Sequence, residues 1–119
     1  MPINGAYTPY ELERVNHAID YIHGHYPNNI SADQLSIEVS LDIKLLQALM
    51  QVMTGMTVHN YLMKIRVARA TEDLSDFKKS IKYIARTHGF SSSSHFGREF
   101  KRQTGTTPKA HRFHLATKL

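Results

Sequence analysis

The chain has 119 residues, 41% of them hydrophobic, with a formal charge of +5, which suits one compact unit or two small halves sharing a core. It has no cysteine, so disulfide frameworks and thiolate chemistry are excluded; no apolar run is long enough to span a bilayer or act as a signal peptide, and a soluble, cytoplasmic protein with no membrane contact is expected. The charge is uneven: residues 1–60 hold two cations against six anions, a net −4, whereas residues 61–119 hold 13 cations against four anions, a net +9, so a polyanionic partner belongs to the second half.

Punctuation along the chain predicts an all-α fold of about seven helices. Thr8-Pro9-Tyr10-Glu11 combines an N-cap, a first-turn proline and a capping-box glutamate, and Leu12, Val15, Ile19 and Ile22 then form an apolar stripe up to Pro27. Ser31 with Gln34 opens a second helix in the same way. Asp42 caps a third, which stops before Gly55, and Thr57 caps a long fourth running to about Leu74 through Tyr61, Leu62, Ile65 and Ala68. Ser80 caps the fifth, Ser91 or Ser92 the sixth, and Thr107-Pro108 begins a seventh expected to fray after His114. No strand-length alternation occurs between them.

Residues 84–105 read IARTHGFSSSSHFGREFKRQTG. A short helix ends at Gly89, Phe90 plugs the angle of a tight turn, and a second helix opens on serines, carries Phe96 and Phe100 one turn apart inward and basic groups outward: a helix-turn-helix. The same pattern stands earlier in the chain. Leu35, Ser40 and Leu41 return 49 positions later as Ile84, Gly89 and Phe90; beyond the turn the offset becomes 50, with Leu46 matching Phe96, Met50 matching Phe100, and Thr54-Gly55-Met56-Thr57 matching Thr104-Gly105-Thr106-Thr107. Two similar folding units follow, the second turn being one residue longer.

Ile84-Ala85 through Gly89-Phe90-Ser91, His95-Phe96, Phe100-Lys101 to Gly105 and Pro108, with Tyr61-Leu62 and Arg66 to Ala70 in the joining helix, resemble the DNA-binding region of the AraC/XylS family of bacterial transcription regulators and its single-domain members. The resemblance covers roughly residues 9–113. It implies a first helix-turn-helix subdomain over residues 9–56, a linker helix over 57–75 and a second subdomain over 76–114, two motifs held so that one monomer enters neighbouring turns of double-stranded DNA. Relative to the family, Ser36 and Ser40 replace the usual alanine and turn glycine.

The resemblance also carries site residues. Ser93, Ser94, His95, Gly97 and Arg98 align with base-facing positions, and Arg98 leads because its planar fork can bond guanine O6 and N7 together. Serines and Gly97 would let the helix sit close to the groove floor, while Ser92 and the amides of the first turn meet a phosphate. Lys101 and Arg102, one turn on, and the flanking Lys82, Arg86 and Lys109 suit phosphate contacts, though each reads equally well as a solvated surface charge. In the first motif, an inward set of Ile43, Leu46, Met50 and Met53 leaves Lys44, Leu45, Gln47, Ala48, Gln51 and Val52 outside. Lys44 and Gln47 are then its base-contacting candidates. Leu45, Ala48 and Val52 form a second apolar stripe; a broad core-facing helix or contacts to thymine methyls account for it ahead of a protein-facing surface.

Other chemistry finds little support. Eight histidines raise the question of metal, but neither His23 with His25 nor His111 with His114 has further ligands in suitable spacing, so no metal and no cofactor are expected, and His111 suits packing. There is no phosphate loop, cysteine nucleophile or carboxylate pair set for catalysis, and no enzyme is expected. The expected function is a sequence-specific, double-stranded DNA-binding transcription regulator whose second motif dominates. The alternative is an interaction module whose acidic first half binds RNA polymerase or another regulator, with minor DNA contact. A length of 119 residues leaves no room for a sensor domain beside the two motifs, so the chain is either a stand-alone regulator or a piece whose sensing partner lies elsewhere.

Overall fold

The structure is a computed structural model that describes residues 7–118. Seven α-helices form among the described residues: α1 Pro9–His25, α2 Ala32–Glu38, α3 Ile43–Thr54, α4 Val58–Asp73, α5 Ile81–Thr87, α6 Ser93–Thr104 and α7 Pro108–Thr117. The chain divides into two compact units between Leu62 and Met63, within α4.

Side-chain oxygens satisfy the first free amides of the helices, as the caps foretell. At α1 the capping box closes in both directions: Glu11 N–H donates to Thr8 Oγ1 at 3.1 Å and Thr8 N–H donates to Glu11 Oε1 at 2.8 Å. Ser31, Asp42, Ser80, Ser92 and Thr107 cap α2, α3, α5, α6 and α7, and Thr57 Oγ1 accepts from Asn60 N–H at the start of α4. Ser92, not Ser91, is the cap of α6. The seventh helix continues past the expected fray at His114 to Thr117.

In unit 1, Val15, Ala18 and Ile22 of α1 pack with Leu35 of α2, Val39 and Leu41 of the turn, and Leu46, Leu49 and Met50 of α3. The inward face of α3 therefore centres on Leu46, Leu49 and Met50. Met53 lies at its edge and is 39% exposed, correcting its place in the core, and Ile43 is half-buried. In unit 2 the core is aromatic. Phe90 lies 5.0 Å from Phe96 between ring centroids, Phe96 5.7 Å from Phe100, and Phe100 5.5 Å from His111, the last two edge to face. His111 is thus a packing group.

The two turns share hydrogen bonds. Leu41 N–H donates to Ser36 O at 3.0 Å, and Phe90 N–H to Ala85 O at 2.9 Å; one residue earlier, Ser40 N–H reaches Ile37 O and Gly89 N–H reaches Arg86 O, each at 3.2 Å. This closure needs a left-handed residue after the first helix of each pair. Gly89 takes φ 93° freely, whereas Ser40 is held at φ 54° against its own Cβ. Ser36 is buried and donates from Oγ to Asp33 O at 2.7 Å.

Candidate nucleic-acid interface

The second motif fixes α6 from below. Phe96 and Phe100 are fully buried, so positions 94, 98, 101 and 102 turn outward by the 3.6-residue period, while Ser93, on the phenylalanine side by that period, is open because it begins the helix. All five side chains are exposed. Arg98 has no side-chain partner among the described residues, leaving its guanidinium free for a base edge. A Cβ built on Gly97 meets nothing within 4 Å, so that position faces open space.

At the start of α6, Lys82 and Arg86 of α5 converge with Ser91, Ser92 and Ser93 on a cavity of about 230 Å³. Two cations, hydroxyls and the unfilled amides of a helix N-terminus are groups that hold a phosphate. Lys101 on α6 and Lys109 on α7 are exposed beyond it.

Two other candidates are partly engaged inside the protein. His95 presents its ring edge to Phe90 at 5.3 Å and its Nδ1 lies 3.3 Å from Ser91 Oγ, so it helps hold the turn. Arg102 donates to Glu99 Oε1 at 2.7 Å; that bond lowers the Glu99 carboxyl pKa below, and raises the Arg102 pKa above, their ordinary values.

Behind this face lies a contact that sequence spacing does not reveal. The buried His88, in the turn, donates from Nε2 to Asp73 Oδ2 at 2.7 Å, and Lys79 donates to Asp73 Oδ1 at 3.1 Å. The His88 bond, assisted by Lys79, holds the Asp73 carboxyl below the usual carboxylate range. The turn is thereby tied to the end of α4.

The first motif presents other groups on the same backbone plan. By the offsets of 49 and 50, Asp33 and Ile37 stand where unit 2 has Lys82 and Arg86, Asp42 where it has Ser92, Gln51 and Val52 where it has Lys101 and Arg102, and Ala48 where it has Arg98. Ala48 is exposed and Val52 is 38% exposed, so the core-facing explanation of that stripe fails for these two, while Leu45 is half-buried. Lys44 is exposed at the start of α3. Gln47 is already engaged within unit 1, since its Oε1 accepts from Val58 N–H at 2.9 Å and so caps α4. A carboxamide folded back in this way is poorly placed to read adenine. Only the tertiary structure shows that bond, because the partners are 11 residues apart.

Comparison with known proteins agrees with this architecture. A family described as "Helix-turn-helix domain" matches residues 35–113. The chain is 29% identical over 96 residues to the HTH-type transcriptional activator RhaS of Escherichia fergusonii, covering 81% of this chain and 34% of that protein. It is 30% identical over 107 residues to the probable transcriptional regulator LumQ of Photobacterium leiognathi, covering 88% and 43%; the chain thus spans less than half the length of either relative. Among solved structures, a regulator from Chromobacterium violaceum with an AraC-type DNA-binding domain matches with a TM-score of 0.79 and 25% identity, covering 87% of this chain and 93% of that one. The DNA-binding domain of AdpA, solved with a target DNA, matches with a TM-score of 0.83 and 20% identity over 88% and 95%, which bears on the fold.

Proposed function

We infer the function from the premise that the chain belongs to the AraC-type helix-turn-helix family of transcription regulators. It is a DNA-binding transcription regulator, and in our reading α6 enters the major groove of a specific duplex site. The observation that carries this reading is the outward face of α6, where a free Arg98 and small, exposed Ser93 and Ser94 stand beside the cationic cavity of Lys82, Arg86 and Ser92. In the proposed roles Arg98 reads a base, Ser93, Ser94 and Gly97 allow close approach with His95 at the rim, and Lys82, Arg86, Ser92, Lys101 and Lys109 hold phosphates. Arg102 joins them only by sharing its guanidinium with Glu99. Lys44 is the remaining base-contacting candidate of the first motif.

The proposed boundaries remain 9–56, 57–75 and 76–114, and one chain acts as a monomer because it carries both motifs. The exposed carboxylates and apolar groups of unit 1 favour a second role in contacting a protein such as RNA polymerase or another regulator. Titration of a selected duplex at several salt concentrations tests the DNA reading: Lys101→Ala should weaken binding to all sequences alike and flatten the slope of log affinity against log salt by about one unit. An unchanged slope would remove Lys101 from the phosphate contacts.

A further inference from the structure

Unit 1 has a groove between α1 and α2 that the DNA reading does not use. It encloses about 340 Å³ and is lined by Tyr21, Ile30, Gln34, Leu35, Ile37 and Glu38, a volume at the lower end of ligand-sized pockets. Ile37 forms its lip and is 79% exposed, an unusual position for an isoleucine on a helix whose inward face is already filled by Leu35 and Ser36. The corresponding residue of unit 2 is Arg86, a wall of the cationic cavity.

The charge along α2 beside the groove is also inverted. Asp33 stands where unit 2 has Lys82, and Glu38 lines the groove itself. Among the described residues neither carboxylate is paired with a cation. Outside the groove, Asp42 puts a further negative charge at the N-cap of α3, where unit 2 has the neutral Ser92. A phosphate backbone would meet repulsion at each of these places. A cationic partner would meet attraction, with an apolar anchor point between the charges.

We propose that this groove is a docking site for a basic protein segment that inserts one aliphatic or aromatic side chain beside Ile37 and sets Lys or Arg against Asp33 and Glu38. The site is complete within unit 1 and does not depend on how unit 2 reads DNA.

The test selects a displayed library of random short peptides on the immobilised full chain. Peptides with Lys or Arg flanking one apolar residue should be enriched, and their affinity should fall by about tenfold or more with Ile37→Arg and with Glu38→Lys. Arg98→Ala should leave peptide binding unchanged while relaxing DNA preference, which separates failure of docking from failure of DNA reading. Ile37→Ser is the milder companion variant, and helical circular dichroism with a cooperative thermal transition reports that each variant is folded. Enrichment of acidic peptides, absence of enrichment, or equal binding to folded Ile37→Arg overturns the proposal. So does a concentration-dependent dimer in sedimentation that Ile37→Ser abolishes, which would make a second copy the occupant. A roughly tenfold loss of duplex affinity with Ile37→Ser overturns it in favour of DNA.

Discussion

Thr54 and Thr104 do the same thing in the two units: each hydroxyl donates at 2.7 Å to the carbonyl four residues back, Met50 O in one and Phe100 O in the other. Half a dozen residues upstream the units part, with Ala48 facing solvent in α3 and Arg98 facing solvent in α6. The bonds that close each turn and end each helix recur almost atom for atom, while the outward groups run from cationic to acidic or apolar. Support and recognition therefore answer to separate constraints. Core volume and backbone bonds set the first; the partner's charge and shape set the second.

The contrast can be strained at several points. Phe96→Ala should cost about 3–5 kcal/mol, seen as a lower urea midpoint, and should exceed the loss from Leu46→Ala because Phe96 also gives up ring contacts worth about 0.5–1.5 kcal/mol each. Equal losses would show that the aromatic core of unit 2 brings no advantage over the aliphatic core of unit 1. Arg98→Ala should erase about 1–3 kcal/mol of discrimination at one base pair, measured by competition between matched and mismatched duplexes, with a smaller effect from Lys44→Ala. If the lysine change is as damaging, the two recognition helices contribute alike and the asymmetry fails.

Acid should distinguish the units as well. The folded-state pKa of Asp73 is depressed chiefly by its bond from His88, so its contribution is present above the ordinary carboxylate range and is lost as pH falls through the depressed value. Val39 occupies the place of His88 in unit 1, so hydrogen exchange during acid titration should show the Phe90 amide losing protection relative to Leu41. Asp73→Asn should remove that difference. The smallest effect concerns the turns: Ser40→Gly should stabilise by about 0.5–1 kcal/mol by relieving a left-handed non-glycine residue, and Gly89→Ser should destabilise by at least as much. A loss on Ser40→Gly would mean that the serine side chain makes a compensating contact.

Much of the fold is legible in the sequence because its signals are local. Caps, proline positions and the paired offsets locate α2 against α5 and α3 against α6 with their lengths matched, since each signal lies within a few residues of the backbone it controls. What escapes is tertiary. Gln47 reads as an outward polar group until its bond to Val58 is seen, and Leu49, absent from the expected inward set, is fully buried where Met53 is not. The Asp73–His88 pair spans 15 residues with no periodic signal. The inversion at Asp33 and Ile37 is present in the sequence too, but only when the offset of 49 is carried back from the turn onto the supporting helix.

The extra residue between α5 and α6 has a practical consequence for chimaeras. An α-helix advances about 100° per residue, so transplanting the α6 surface into α3 at a constant spacing of 49 would rotate the donor pattern by that angle and drive Arg98 into the space of Leu49 and Glu99 into that of Met50. A working graft must change register inside the loop, taking Ser92 for Asp42 and Arg98 for Ala48. Made that way, the same scaffold could carry either surface in either half.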